Sequence, residues 1–161
     1  MAIAWMLLTD VRERHQRSAM QEVARGKREL EAREAQAAEV RREWQQQLEA
    51  KAQHWKDTVG ALSDGACSVA QMRQAGAWSK ALDLQIAQAG MAVVEAQAVV
   101  AQAQSVLDAS RAQLRQASAE LEKARQMQQR AKAEERQHQE RRQDEVTEEA
   151  SVQAWSSTHR A

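Results

Sequence analysis

Residues 93–114 read VVEAQAVVAQAQSVLDASRAQL, with apolar residues that recur at every seventh position. The repeat extends on both sides as a column of large side chains: Ile86, Val93, Val100, Leu107, Leu114 and Leu121. A second column of small residues follows three positions later: Ala89, Ala96, Ala103, Ser110, Ala117 and Ala124. A sustained seven-residue period predicts a helix that packs along one stripe against a partner helix, as in a left-handed coiled coil.

The composition of the chain favours long helices over a compact globular core. The 161 residues include 33 alanines and 23 glutamines, 29% are charged, and none is Pro, Phe or Tyr. Alanine and glutamine favour helices, while the shortage of large apolar side chains leaves little to fill a globular interior. The sequence therefore predicts an all-α protein.

A second heptad tract precedes this helix, between Met20 and Leu62. One of its columns contains Val23, Leu30, Ala37 and Trp44. We assign the other column to the remaining large residues and the charged residues in phase with them: Met20, Lys27, Glu34, Arg41, Leu48, Trp55 and Leu62. This assignment predicts a first helix whose packing stripe is half polar in its N-terminal part.

The segment between the two tracts, residues 57–68, reads DTVGALSDGACS and favours a reversal of the chain. Ser68 and Gln71 have the spacing of a capping box at the start of a new helix, and Asp10 and Glu13 have the same spacing near the N-terminus. The predicted architecture is a single domain, residues 1–161, forming an antiparallel coiled-coil hairpin. Its parts are helix one at about 3–59, a turn at about 60–68, helix two at about 69–145 and a frayed tail at about 146–161.

Folding about this turn is expected to place Trp44 near Leu82 and Leu30 near Ala96. The small column of one helix then receives the large side chains of the other, so the two backbones approach closely. Arms of about 60 residues give a narrow rod of roughly 90 Å. One uninterrupted helix that dimerises is the competing architecture, and the glycines Gly60 and Gly65 argue against it.

The sequence contains no recognisable catalytic, cofactor or metal motif, and we predict no such site. The four histidines, His15, His54, His138 and His159, are dispersed, and neither HExxH nor a phosphate-binding glycine loop is present. Cys67 is the single cysteine, which fits a reducing cytoplasm and the role of a turn residue. An enzyme is therefore not predicted.

Candidate contact residues lie at the two ends of the predicted hairpin. Trp44 and Trp55 are interpreted first as fillers of the packing stripe, whereas Trp78 has no clear role there. At the other end, the apolar start of the chain is expected to lie beside the segment 123–142, which has a net charge of +4 and precedes four acidic residues. The predicted partner-binding residues are Trp78, Trp55, Trp44, Ile3, Leu7, Arg130 and Arg136.

Three functions compete on this basis: a stalk or adaptor in a larger machine, a coiled-coil chaperone or scaffold for helical or unfolded clients, and a binder of nucleic acid or membrane surfaces. The third is disfavoured, because the net charge is zero and the helix faces carry both signs. We therefore expect no nucleic-acid partner.

A resemblance to a known family covers nearly the whole chain. It rests on three features: the polar N-terminal segment LLTDVRERHQRSAMQEVARGKRELE, the glycine-interrupted turn, and the Ala-, Gln- and Arg-rich second helix. The chain resembles the small coiled-coil stalk proteins of bacterial type III secretion, the flagellar FliJ and injectisome YscO types, and is nearest in composition to those of Hrp systems. The resemblance implies a two-helix stalk that contacts the hexameric export ATPase and the export gate, promotes ATPase assembly, and in some members binds export chaperones. It also implies a cytoplasmic protein at the cytoplasmic face of the inner membrane, peripheral to the membrane through the secretion machine.

Overall fold

A computed structural model describes the backbone of residues 2–160 and the side chains of residues 4–160. Within this range the chain forms two α-helices, α1 over Ala2–Ser63 and α2 over Val69–Thr158, and no strand. The helices pack against each other in antiparallel directions, since α1 residues near the turn face early α2 residues and the first α1 residues face late ones. The predicted all-α antiparallel coiled-coil hairpin is confirmed.

The reversal between the helices is short because each helix end is capped by its own sequence. At the end of α1, the Asp64 amide donates to the Gly60 carbonyl at 3.1 Å and the Gly65 amide donates to the Leu62 carbonyl at 3.3 Å. Gly65 has a φ of 66°, the left-handed conformation that closes helices and that glycine adopts without steric cost. Gly60 lies inside α1, so the reversal occupies residues 64–68 rather than 60–68.

The predicted capping box at the start of α2 is confirmed. The Ser68 amide donates to Gln71 Oε1 at 2.7 Å, and the Gln71 amide donates to Ser68 Oγ at 3.3 Å. These reciprocal bonds satisfy two backbone donors at the start of a helix, where such donors lack intrahelical partners.

α2 extends further than the sequence indicated, whereas α1 begins at Ala2, next to the expected start at about residue 3. The capping-box spacing of Asp10 and Glu13 is not used, since both residues lie inside α1 and Glu13 bonds Arg125 at 2.9 Å. α2 continues to Thr158, although a frayed tail was expected from residue 146. The physical reason for the longer α2 is that no glycine or proline follows Gly90, so nothing in the sequence interrupts the helix.

The described residues divide into two compact units. The turn unit is Glu22–Ser110, and the terminal unit combines Met1–Gln21 with Arg111–Ala161. Each unit contains one stretch of α1 and one stretch of α2, so its packing is that of two helices. That the whole chain is a single domain stays a prediction.

In both units α2 packs through the two columns that the sequence predicted. Leu107 and Leu121 are 1% and 2% exposed, and every member of both columns is buried or half-buried. In the turn unit, a Cβ atom at Gly26 would lie 3.3 Å from Leu107 Cδ1. The close approach that small residues were expected to permit therefore occurs, with a glycine of α1 opposite a leucine of α2.

The predicted register of the turn unit is wrong. Trp44 Nε1 lies 3.5 Å from the position of a Cβ atom at Gly90, so Trp44 faces Gly90 and not Leu82. The cause is the extra length of α1: because the helix continues through Gly60, the centre of the reversal moves toward the C-terminus. Each α1 residue consequently meets an α2 residue further along the chain than expected.

One of the two predicted columns of α1 is also wrong. The column through Val23 and Trp44 is buried or half-buried as expected. All members of the other assigned column are exposed: Met20, Lys27, Glu34, Arg41, Leu48, Trp55 and Leu62. The residues one position earlier take their place: Ala19, Gly26, Arg33, Val40, Gln47, His54 and Ala61. At Ala19, Gly26 and Ala61 the residue that packs against α2 is smaller than the one that follows it, whereas the sequence assignment gave weight to apolar size.

Polar side chains join the helices of the terminal unit around a narrow apolar core. Gln16 Nε2 donates to Ser118 Oγ at 3.0 Å, and Arg12 forms an ion pair with Glu120. The residues buried in this unit are Thr9, Ala19, Ala117, Leu121 and Ala124. The small volume of these side chains keeps the two helices close enough for such cross-helix bonds.

Candidate partner-binding surfaces

The described part of the chain presents open grooves and exposed apolar faces. Among residues 2–160, no group of three or more His, Cys, Asp or Glu side chains is arranged to hold a metal ion. Cys67 lies half-buried in the reversal, and its Sγ lies 3.8 Å from the Ser68 carbonyl oxygen.

An open groove of about 520 Å³ lies next to the reversal in the turn unit. We call it the tip groove, and its lining combines three alanines with one tryptophan, one histidine and two amides. The lining residues are His54, Gln71, Gln74, Ala75, Ala77, Trp78 and Ala81. Alanines on α2 form a shallow floor, so the surface is accessible to a side chain of another protein.

Trp78 stands at one side of the tip groove and is held by a histidine of α1. Its indole ring meets the His54 ring edge to face, with centroids 6.5 Å apart and an interplanar angle of 72°. His54 Nε2 donates to the Ala75 carbonyl at 3.2 Å, which fixes the imidazole across the two helices. Trp78 remains 56% exposed, so one part of the indole is oriented by the protein and the rest contacts solvent.

His54 is a residue of this surface that the sequence reasoning missed. It occupies the α1 column that includes Gln47 and Ala61, one position before the column assigned from the sequence. Placing that column correctly would have set His54 against the start of α2 and drawn attention to the groove. The heptad spacing permits the column of His54, but the sequence assignment favoured the column of Trp55 because tryptophan is the larger apolar residue.

The other two tryptophans near the reversal have different environments. Trp44 is half-buried against Gly90 in the packing stripe, as its interpretation as a filler predicted. Trp55 is 61% exposed, so its interpretation as a filler is wrong. It belongs to an exposed apolar face of α1, together with Leu48 and Val59. Partner binding by all three tryptophans stays a prediction.

A larger open groove, about 730 Å³, lies in the terminal unit. We call it the terminal groove. Trp5 of α1 and Met127 of α2 supply its apolar area, and charged residues of both signs surround them. The lining residues are Trp5, Met127, Arg130, Ala131, Glu134, Glu135, His138, Gln139 and Arg142. Its Arg and Glu side chains balance in number, so the net positive charge of the segment 123–142 is spread around the helix rather than concentrated in the groove.

Thr9 holds the first turns of α1 beside this groove. Its hydroxyl donates to the Trp5 carbonyl at 2.9 Å and lies 3.4 Å from Gln128 Oε1, and the residue is 7% exposed. The hydroxyl has one proton, which the nearer Trp5 carbonyl accepts, and the buried Thr9 side chain lies in contact with Gln128 of α2. This contact brings the apolar N-terminal residues and the basic segment of α2 into one region of the terminal unit, as predicted.

The remaining predicted contact residues differ in exposure and in their position relative to the terminal groove. Leu7 is 57% exposed, and its neighbours Met6 and Val11 are similarly accessible. Arg130 lines the terminal groove, whereas Arg136 is exposed outside it. The side chain of Ile3 lies outside the described residues. Binding of a partner by Ile3, Leu7, Arg130 and Arg136 stays a prediction.

A third exposed surface is a stripe on α2 in the turn unit. By length and composition alone, α2 is apolar enough to cross a membrane, with an 18-residue window of mean hydropathy 1.3 of which 6% is buried. The least charged part of α2 is residues 84–107, where Glu95 is the one charged residue. We call the exposed apolar positions in it the outer stripe, defined as Leu84, Ala87, Met91, Val94, Ala98 and Ala101.

Comparison with protein-family models identifies the family of this chain. The model described as YscO-like protein matches residues 6–151, so the chain belongs to the YscO-like family and is a type III secretion-associated protein. Searches of curated proteins and of solved structures gave no match. The predicted resemblance to the type III secretion proteins of the YscO and FliJ type is thereby confirmed.

Proposed function

We propose that this YscO-like chain is a non-enzymatic stalk or adaptor of a bacterial type III secretion apparatus, which contacts the hexameric export ATPase and the export-gate protein. In this role it promotes assembly of the ATPase and thereby protein export, at the cytoplasmic face of the inner membrane. Family membership and the two-helix packing of each unit support the proposal. A pair of helices is narrow enough to enter the central opening of a ring, which a globular domain is not.

The observation that carries the proposal is the exposed apolar surface on the first turns of α1. Met6, Leu7 and Val11 are each at least half exposed on a helix that Thr9 fixes to α2. Large apolar side chains held in ordered, accessible positions favour burial against another protein, because removing them from water is worth about 25 cal/mol per Å². We assign this surface to the ATPase contact.

The charge of the adjacent α2 segment supports the same assignment. Residues 123–142 carry seven basic and three acidic side chains, and Arg130 and Arg142 stand at the terminal groove. Basic residues at the edge of an apolar contact steer a partner with an acidic entrance and increase the association rate more than the final affinity. Association with the ATPase should therefore slow as salt screens these charges.

The proposal is tested by adding the purified chain to the export ATPase of the same cell and measuring ring assembly and ATP hydrolysis. The intact chain is expected to increase both. Leu7→Asp is expected to abolish the increase, because it introduces charge into the proposed apolar contact. Arg130→Glu is expected to slow association with less effect on the final complex.

Val152→Asp is the matched control, since Val152 is a similarly exposed apolar residue of α2, 65% accessible, outside the proposed contact. It should behave as the unaltered chain does. Unchanged assembly and turnover on addition of the intact chain would contradict the stalk proposal. Equal loss with Leu7→Asp and Val152→Asp would contradict the assignment of the contact.

The tip groove supports a second candidate function, that of a coiled-coil chaperone or scaffold that binds helical or unfolded clients. The exposed Trp78, oriented by His54 above an alanine floor, is suited to an apolar side chain of a protein ligand. In the stalk proposal the same groove contacts the export gate. Trp78→Ala should abolish capture of the second partner and leave helicity unchanged, and the identity of the protein lost distinguishes a gate component or export chaperone from unfolded clients.

A further inference from the structure

The stretch of α2 toward its C-terminal end is not covered by α1. Every residue from 132 to 155 is exposed, so no part of the described chain buries this stretch, which we call the exposed arm. The two seven-residue columns of α2 continue into the arm as one stripe with spacings of three and four residues: Glu135, His138, Arg142, Glu145, Glu149 and Val152. The arm thus keeps the spacing of a helix-packing surface, but its packing positions are mostly charged.

The charge of the exposed arm changes sign at its middle. Residues 136–142 contain three arginines, one histidine and one glutamate, and residues 143–149 contain four acids and no base. None of the ion pairs in the described part of the chain includes a residue of the arm. Bases that precede acids are also the weaker order for pairs within one helix. These charges are therefore available to another molecule.

We propose that the exposed arm pairs with the exposed arm of a second copy of this chain, antiparallel about a twofold axis between residues 143 and 144. In this alignment Arg142 of one copy faces Glu145 of the other, and His138 faces Glu149. The twofold axis makes each of these contacts occur twice. The occupant follows from the charge order, because a helix that is basic and then acidic is complementary to itself when one copy is reversed.

Residues beside the stripe support the same alignment. Arg141 and Glu148 each precede a stripe residue by one position, on the flank where paired helices form interhelical salt bridges. The proposed axis places Arg141 of one copy beside Glu148 of the other. The outer stripe positions, Glu135 and Val152, face each other without a charge match, so the three matched pairs at the middle of the arm select the alignment.

Neighbouring alignments of two arms set like charges together. Sliding one arm by seven residues in one direction sets Arg142 against His138 and Glu135 against Glu145. Sliding it in the other direction sets Glu145 against Glu149. A parallel pair sets each charge against its own copy. Like charges in contact oppose association, so the charge order favours the proposed alignment over these.

The stripe and the terminal groove lie on the same face of α2, because Glu135, His138 and Arg142 belong to both. The groove is open, with a volume of about 730 Å³, and Trp5 and Met127 supply its apolar area. A second arm laid along the stripe therefore also covers this groove, and the groove has room for a large side chain of that arm.

Trp155 is the large side chain that the alignment brings to the groove. Its indole is 63% exposed and stacks on the His159 ring, with centroids 4.4 Å apart and an interplanar angle of 23°. The proposed alignment places Trp155 next to Ala131 of the other copy, which lines the groove. The two Trp155 side chains thus add apolar contact at both ends of the paired arms, and exposed charge pairs alone would bind weakly.

Salt dependence is the first test, because salt screens exposed charge pairs. Sedimentation equilibrium of the full chain at about 20 mM salt, over the roughly 10–500 µM range expected for a small interface, should show a shift from the 18.1 kDa monomer towards twice that mass. At about 0.5 M salt the mass should return towards that of the monomer. A chain that stays monomeric at low salt, or a dimer that salt strengthens, would overturn the proposal.

Charge reversal tests the central pair. Arg142→Glu and Glu145→Arg should each reduce dimer formation by about tenfold or more, because each variant sets like charges against each other twice. Mixing the two variant chains in equal amounts should restore a dimer with one chain of each kind, since the reversed charges then match. A gain on mixing cannot result from misfolding. If the mixture stays as monomeric as each variant alone, the alignment is wrong.

Arg136→Glu is the matched control for Arg142→Glu, since both variants change the net charge equally. Arg136 is an exposed arginine of the arm, about 120° around the helix from Arg142 and outside the stripe. Its reversal should leave dimer formation unchanged, and equal losses in the two variants would overturn the proposal. Leu7→Asp, which tests the ATPase contact, should also leave the dimer unchanged, so the two proposals can fail separately.

Two similarly exposed tryptophans test the contact in the terminal groove. Trp155→Ala should weaken dimer formation, because it removes the apolar contact at both ends of the paired arms. Trp78→Ala should not, since Trp78 lies in the turn unit and is 56% exposed. Equal effects of the two variants would contradict the placement of Trp155 in the groove of a second copy.

Cross-linking tests the direction of the arms in a Cys67→Ser background, which removes the native thiol. A mixture of His138→Cys and Glu149→Cys chains should form a disulfide between the two kinds of chain. His138→Cys alone should not link to its own copy, because its two copies are about 16 Å apart along the helices. Self-linking of His138→Cys would indicate parallel pairing and overturn the proposed interface.

A charged helix of another protein is the other occupant that the arm could take, and it is an outcome of the same test. The export ATPase of the same cell is added to the mixed cysteine chains together with a thiol-reactive cross-linker. The proposal expects links between copies of the chain. Links from position 138 to the ATPase, with none between copies at any concentration, would assign the arm to that protein instead.

Discussion

The two units of this molecule hold the same pair of helices together by different means. In the terminal unit, polar side chains connect α1 and α2 across a core of small residues, as in the Arg12–Glu120 ion pair and the Gln16–Ser118 hydrogen bond. In the turn unit, side-chain size determines the contact, with Leu107 packed against Gly26 and Trp44 against Gly90. The first kind of contact depends on charge and hydrogen bonding, and the second depends on volume.

This difference shows how a sequence with few large apolar residues can specify one register. A heptad repeat alone permits sliding by seven residues, because the same pattern recurs. Trp44 opposite Gly90, or Arg12 opposite Glu120, occurs at one alignment and not at its neighbours, since a shift of seven residues would set Trp44 against Asp83 or Gln97. Each unit thus adds a local feature that selects the native alignment, and the two features should respond differently to substitution and to salt.

The largest expected effect is that of truncating the leucine in the size-dependent unit. Leu107→Ala should lower the free energy of unfolding by about 2–5 kcal/mol, as burial and contacts are lost. Leu121→Ala in the terminal unit removes an equally buried side chain and should cost less, because Leu107 faces a glycine that has no side chain to fill the space left behind. Denaturant unfolding of both variants measures the difference. An equal or larger loss with Leu121→Ala would contradict the comparison.

An intermediate effect is expected from adding volume at the glycine. A Cβ atom at Gly26 lies 3.3 Å from Leu107 Cδ1 and 3.6 Å from Leu107 Cα, so Gly26→Val should destabilise the protein by about 1–3 kcal/mol through overpacking. Gly76 is a helical glycine with no atom within 4 Å of its Cβ position. Gly76→Ala should therefore raise the free energy of unfolding, by up to about 1 kcal/mol, because alanine favours the helix.

Thermal unfolding followed by helicity distinguishes these two glycines. Gly76→Ala controls for the general effect of giving a helical glycine a side chain. A Gly26→Val variant that is as stable as the unaltered chain would show that the two backbones can separate at this point without cost. The close approach would then not specify the register of the turn unit.

The smallest effect belongs to the ion pairs that join the helices. A double-mutant cycle on Arg12 and Glu120 should give a coupling free energy in the range of about 0.2–1 kcal/mol, as expected for partly exposed pairs. Lys51 and Asp83 form the corresponding pair in the turn unit and are more exposed. Their coupling should be smaller, because Glu120 also accepts a hydrogen bond from Gln116 at 3.3 Å and is better fixed.

High salt should reduce both couplings, since screening weakens exposed charge pairs. It should leave the effect of Leu107→Ala unchanged, because packing does not depend on ionic strength. A coupling at Lys51 and Asp83 that exceeds the one at Arg12 and Glu120 would contradict the view that polar contacts matter more in the terminal unit.

The turn of the hairpin and the packing face of α2 were predictable because their signals are local. Ser68 and Gln71 cap α2 whatever the rest of the chain does, and the seven-residue column through Leu107 and Leu121 admits one assignment. The capping-box spacing of Asp10 and Glu13 is local too, but it is not used. A capping pair permits a helix to begin without requiring it, and the residues before Asp10 continue the helix and pack through Thr9.

By itself, the sequence determined an all-α hairpin, the reversal near Gly65 and the stripe of α2 that faces α1, because helix propensity, capping and periodicity act within a few turns of one helix. The tertiary structure alone decided which α1 column meets that stripe, because steric fit between two surfaces selects Gly26 and His54 over the larger residues that follow each of them. It also decided that Trp55 and the outer stripe stay exposed. Exposure depends on where the second helix lies, and no single helix contains that information.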